Sequence, residues 1–122
     1  MSVERDRFRR LVQRALRSLP REVRVALDNV AVVTEREPSA DDLRSAGLDA
    51  HDDLLGLYIG TPLTQRSDYS MALPDRIVIY QGPLERQFRS AEIPGEIART
   101  VLHELAHHFG TEDERLDALG MG

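Results

Sequence analysis

The sequence predicts an α+β fold, and three observations lead there. Apolar residues recur every three to four positions near both ends of the chain, which is the period of one helical face. Three short apolar runs bounded by turn residues lie between them, as strands do. Helices, then strands, then helices is the order of an α+β domain and not of an alternating α/β sheet. At 122 residues the chain suits a single domain spanning 1–122.

The elements follow in order. From Val3 to Ser18, the residues Phe8, Leu11, Val12, Ala15, Leu16 and Leu19 mark one helical stripe. Pro20 ends that helix and opens a second, Arg21 to Leu27, since proline is tolerated at a first helical position. Val30 to Val33 is strand one. The polar segment Arg36 to Asp53 reads as a surface loop with a helical turn around Asp41 to Ala46. Leu54 to Ile59, bounded by Gly60 and Pro62, is strand two; Leu63 to Ala72 is a second loop. Ile77 to Tyr80, ahead of Gly82-Pro83, is strand three, and Leu84 to Phe88 forms a helical turn. Pro94 sits in the first turn of a helix that runs to about Phe109, with Ile97, Val101, Leu102, Leu105, Ala106 and Phe109 as its apolar stripe. Gly110 fits the left-handed stop position. Thr111 and Glu114 form a capping box for a last short helix packed by Leu116 and Leu119.

Composition removes several classes of function. Cysteine is absent, so disulfides and thiolate metal sites are excluded. The net charge is −5, which argues against a nucleic-acid partner. All 16 basic residues are arginine; those at positions 5, 7, 9, 10, 14 and 17 spread around a helix as a solvated face. No run approaches the ~18 apolar residues of a membrane span, and the first ten residues lack the apolar core of a signal peptide. The expectation is a cytoplasmic protein with no membrane partner.

The chemistry lies in His103-Glu104-Leu105-Ala106-His107-His108-Phe109-Gly110-Thr111-Glu112-Asp113. Residues four apart on a helix stand one above the other, roughly 6 Å between Cβ atoms. Two imidazoles so placed can share one ion at about 2.0–2.1 Å per nitrogen. Glu104 is about 100° around the axis from His103, so it cannot be a third ligand of the same kind, but it can reach a water on the ion's open side. Gly110 lets the chain turn back, so Asp113 can supply the third ligand. Three protein ligands with one open vertex is the catalytic arrangement for zinc. Asp113 has a second explanation, favourable charge at a helix start, and Glu112 and Glu114 are fallback ligands. Imidazole donors suit zinc among the divalent ions.

The string HELAHHFGTED resembles the zincin signature, in the HExxHxxGxxD form of the minimal-zincin, zincin-like metallopeptidase family of small bacterial proteins. The segments LPREVRVALDNVAV, LLGLYIGTPLTQR and LPDRIVIYQGPLER look like that family's other segments, so the similarity covers nearly the whole chain. Metzincins carry a third histidine where this chain has Asp113, and no Met-turn follows before Gly122. The resemblance implies a minimal zincin-like fold: a three- to four-stranded sheet packed against N-terminal helices and a C-terminal HExxH active-site helix. It also implies an edge strand able to pair with an extended peptide.

Other residues have plainer readings. His108 points about 100° away from His107 and misses the ion, which leaves it a supporting role behind the site or an exposed one. His51 with Asp49, Asp52 and Asp53 reads as a solvated acidic loop. Tyr58, Tyr69 and Tyr80 read as packing residues before oxyanion donors, and Gly56 and Gly60 do not form a phosphate loop. The functional expectation is a zinc-dependent peptidase that binds one zinc ion through His103, His107 and Asp113, with Glu104 as general base toward a metal-activated water. Its substrate would be a peptide or protein held by edge-strand pairing. The alternative is a metal-binding peptide or protein interaction module with little or no turnover.

Overall fold

A computed structural model of the chain describes residues 5–49, 53–60 and 74–109. Among these it shows five α-helices, one 3₁₀ turn and a three-stranded mixed sheet. The α+β reading therefore holds, with the sheet at the lower of the two strand numbers expected. The predicted final helix after Gly110 lies outside the described residues.

Helix α1 (Arg5–Arg17) buries Phe8, Val12 and Ala15, the predicted stripe. Helix α2 is Arg21–Ala26 with Pro20 at its N-cap. Strand β1 spans Val30–Glu35, β2 spans Gly56–Ile59 and β3 spans Asp75–Tyr80. Their spatial order is β1-β3-β2, with β1 parallel and β2 antiparallel to β3. Strand β3 is central and its Ile77, Val78, Ile79 and Tyr80 are all buried. An unbroken apolar run is the pattern of a strand covered on both faces.

Ile77 and Ile79 join the main core with Phe8, Val12, Leu84 and the stripe Ile97, Val101, Leu102 and Leu105. That stripe belongs to the last described helix, Ile93–Phe109, which touches α1, β2 and β3. On the opposite face Tyr80 is fully buried, and its hydroxyl donates to Asp42 Oδ2 at 2.8 Å.

Helix α3 (Ala40–Ser45) is capped by a box the sequence reading did not use. The Asp42 N–H donates to Ser39 Oγ at 3.0 Å and the Ser39 N–H donates back to Asp42 Oδ2 at 3.3 Å. Gly47, at φ +75°, ends it, and the Leu48 N–H reaches the Leu43 carbonyl at 2.8 Å.

Helix α4 (Gln81–Gln87) starts three residues before the predicted turn. Gly82-Pro83 read as a breaker is instead its first turn, where N–H groups have no intrahelical partner and proline costs nothing. The Gly82 N–H donates to the Arg36 carbonyl at 2.8 Å, and a Cβ there would collide with Glu37. Arg86 then bonds both Glu37, at 2.8 Å, and Asp53, at 2.7 Å. Asp53, exposed as an acidic surface loop would have it, is thus tied to α4. Helix α5 runs Ile93–Phe109, behind a 3₁₀ turn at Ser90–Glu92. No described helix is long and apolar enough to cross a membrane.

Burial, and then the bond and charge of Asp42, raise the Tyr80 pKa above its ordinary value. A phenol whose pKa is raised on folding contributes stability below the unfolded value of about 10 and loses it as pH climbs past that value. Urea titrations should show stability falling above about pH 10, and Tyr80→Phe should flatten that fall.

Candidate metal centre

The site is built on the seam between α5 and β2. Pairs in an antiparallel ladder alternate between those that exchange hydrogen bonds and those that do not. The Tyr80 N–H donates to the Leu55 carbonyl, so Leu55, Leu57 and Ile59 face β3 with their backbone groups. Gly56, Tyr58 and Gly60 turn theirs outward. By register Gly56 stands beside Ile79 and Tyr58 beside Ile77, on the core face of the sheet.

Three contacts run along this seam. A Cβ on Gly56 would come within 2.5 Å of Thr100 Cγ2. The Tyr58 N–H donates to Glu104 Oε1 at 3.1 Å. The Tyr58 ring stacks on His108 with centroids 3.9 Å apart and an interplanar angle of 12°. Two residues of strand rise about 6.6 Å and four of helix about 6 Å, so Gly56–Tyr58–Gly60 keeps step with Thr100–Glu104–His108.

His103 and His107 lie beside this seam, both exposed. Among the described residues no hydrogen bond or ion pair engages either ring. Glu104 is half-buried. Its pKa is raised by burial, against the lowering pull of the Tyr58 N–H and of the two imidazoles, His107 before His103. Both rings are therefore close enough to feel the carboxylate.

Two unengaged imidazoles one helical turn apart, beside a carboxylate, are a donor set suited to a zinc-like ion. Among the described residues no group of three or more His, Asp or Glu side chains could hold a metal. A third protein ligand has to come from elsewhere, and Asp113, Glu112 and Glu114 all lie outside the described residues, as do Gly110 and Thr111. His51, Asp52 and Tyr69 lie outside them too.

The model of the zincin-like metallopeptidase family matches residues 27–122. The chain belongs to that family. The solved structure of a conserved hypothetical protein from Thermo thermophilus is similar over 92% of this chain and 99% of that one, with a TM-score of 0.56 and 24% identity. That likeness concerns the fold. No curated protein matches significantly.

Sequence reading of this zincin-like chain missed the company His108 and Tyr58 keep. The Tyr58 hydroxyl donates to Asp75 Oδ2 at 2.7 Å, and His108 Nε2 lies 3.8 Å from the same oxygen. A hydroxyl has one proton. Tyr58 gives its own to Asp75 and Tyr80 gives its own to Asp42, so neither is an oxyanion donor in this structure. Asp75 had no local signal; only the pairing of β2 with β3 brings it here.

Gly56 is the position where close approach matters. Thr100 Oγ1 bonds the Glu96 carbonyl at 2.7 Å, which resists rotation of Cγ2 away from an added methyl. Gly56→Ala should cost about 1–3 kcal/mol in urea unfolding. Adding Thr100→Ala should recover part of that loss, because the two residues touch.

Proposed function

We propose that this chain is a zinc-dependent peptidase with Glu104 as general base. The observation that carries the reading is the half-buried Glu104 carboxylate, its pKa raised by burial, beside two exposed imidazoles one helical turn apart. Membership of the zincin-like metallopeptidase family supports it.

His103, His107 and Asp113 would hold the ion. When bound, zinc would polarise the scissile carbonyl and acidify the attacking water. Glu104 takes the proton from that water and delivers it to the leaving amine. A raised carboxylate pKa makes the group a better proton acceptor at neutral pH. The Tyr58 N–H holds one carboxylate oxygen and leaves the other for proton transfer. Strand β2 is the edge of the described sheet nearest these residues, and an extended peptide would align against it by strand addition through outward groups other than the Tyr58 N–H, which Glu104 already holds. Strand β3 is central in the described sheet and has no edge to offer.

One observation favours a second reading, a peptide-binding module without turnover. Glu104 already has a structural task, accepting the β2 backbone N–H. Glu104→Gln separates the two readings. Glutamine keeps an acceptor oxygen for Tyr58 but cannot take a proton. The expected outcome is unchanged stability with kcat for peptide hydrolysis down by at least about 100-fold, and loss of activity with a chelator. Binding without cleavage by the unmodified protein would favour the module.

The metal itself is tested separately. Protein purified without chelator should carry one equivalent of zinc by elemental analysis, and His107→Ala should lose it. Asp113→Ala should weaken retention without abolishing it, since two imidazoles remain.

A further inference from the structure

We infer that Asp75, Tyr58 and His108 form a lock that sets the β2 edge against α5 and so holds the Glu104 carboxylate in place. The three are positioning residues, and their catalytic meaning rests on the proposed role of Glu104.

Strand β2 is four residues long and pairs with β3 on one side only among the described residues. A single N–H to carboxylate bond is a modest tether. That is little with which to fix the end of an edge strand that is only part-buried, because strand ends open locally at low cost. The Tyr58 side chain supplies what the backbone lacks. Its ring is stacked on His108 of α5, and its hydroxyl donates to Asp75 of β3. One residue thus bridges the strand beside it and the helix above it.

Asp75 is a firm anchor. Its side chain is 14% exposed, and it opens the central strand whose next residues include the buried Ile77 and Ile79. The same Oδ2 that accepts the tyrosine proton lies 3.8 Å from His108 Nε2. The two rings and the carboxylate therefore close a triangle, with a corner on each of β2, β3 and α5. Moving any corner moves the Tyr58 amide, and with it Glu104 Oε1, the atom that amide holds. A general base displaced by 1 Å can cost on the order of 100-fold in rate.

The test reads the amide of residue 58 directly, in metal-free protein, by hydrogen exchange followed by NMR. Tyr58→Phe keeps the ring and loses the hydroxyl; Asp75→Ala keeps the strand and loses the acceptor oxygens. In both, the residue 58 amide should exchange about tenfold faster or more, while the amides of Ile77 to Ile79 keep their rates. His108→Phe, which can still stack, should stay closer to the unmodified protein than His108→Ala. An unchanged rate at residue 58 in Tyr58→Phe and Asp75→Ala would overturn the lock. So would acceleration shared equally by Ile77 to Ile79, which would mean a general loss of stability. In the zinc-loaded enzyme Tyr58→Phe should lower kcat about tenfold with KM within about twofold; an unaltered kcat would overturn the positioning role. Exchange needs neither metal nor substrate, so failure of the peptidase reading, seen as full activity in Glu104→Gln, remains distinct from failure of the lock.

Discussion

The structure depends on how closely the β2 backbone approaches helix α5. At Gly56 there is no room for even one methyl group, because Thr100 and the Val78 carbonyl already occupy the space. A glutamate side chain is short, and the strand must come to it. The approach made possible at Gly56 brings the next outward-facing amide, that of Tyr58, to 3.1 Å from Glu104. Everything chemical about the site is arranged around that contact.

The helical repeat explains why the histidines end up exposed. Taking Glu104 as zero, Thr100 and His108 lie about 40° to either side of it, while His103 and His107 lie about 100° and 60° away on one side. The first three therefore share the seam. The two histidines must then stand together beside it, clear of β2 and clear of the core stripe centred on Val101 and Leu105. A motif of five residues thus divides into a strand-facing carboxylate and a solvent-facing imidazole pair because one face of α5 is committed to β2. Were β2 farther from the helix, Glu104 would be solvated and its pKa would lose the upward push of burial.

Much of this was legible in the sequence. Periodicity located α1, α5 and the three strands to within a few residues, because the same side chains that mark the pattern also fill the core. The HELAH spacing identified the imidazole pair and its carboxylate, since the spacing is itself the geometry. What stayed hidden was long-range. Nothing local says that β3 lies between β1 and β2, and so nothing says that Asp75 meets Tyr58. The helical spacing gives His108 a supporting or exposed role but not its partners, which lie on strands some thirty to fifty residues earlier in the chain. Gly82-Pro83 misled for a different reason. Those residues end a strand and begin a helix with equal ease, and what sets Gly82 here is its close approach to Glu37 and Arg36.

Glu104 is where structural and chemical demands meet, and they pull in opposite directions. Holding β2 favours a charged carboxylate, because the ionised form accepts the Tyr58 N–H more strongly. The nearby imidazoles favour that form too. The proposed proton transfer would need the opposite tendency, a carboxylate that gains something by becoming neutral. Burial supplies it, and burial is the largest influence on this group. Burial and the N–H bond have one source, since the strand that shields the carboxylate from water is the strand that donates to it. A variant that relaxed β2 away from α5 would weaken both at once, so placement and basicity of Glu104 cannot be tuned independently in this fold. That coupling is the physical reason a short edge strand, and not the helix alone, belongs to the site.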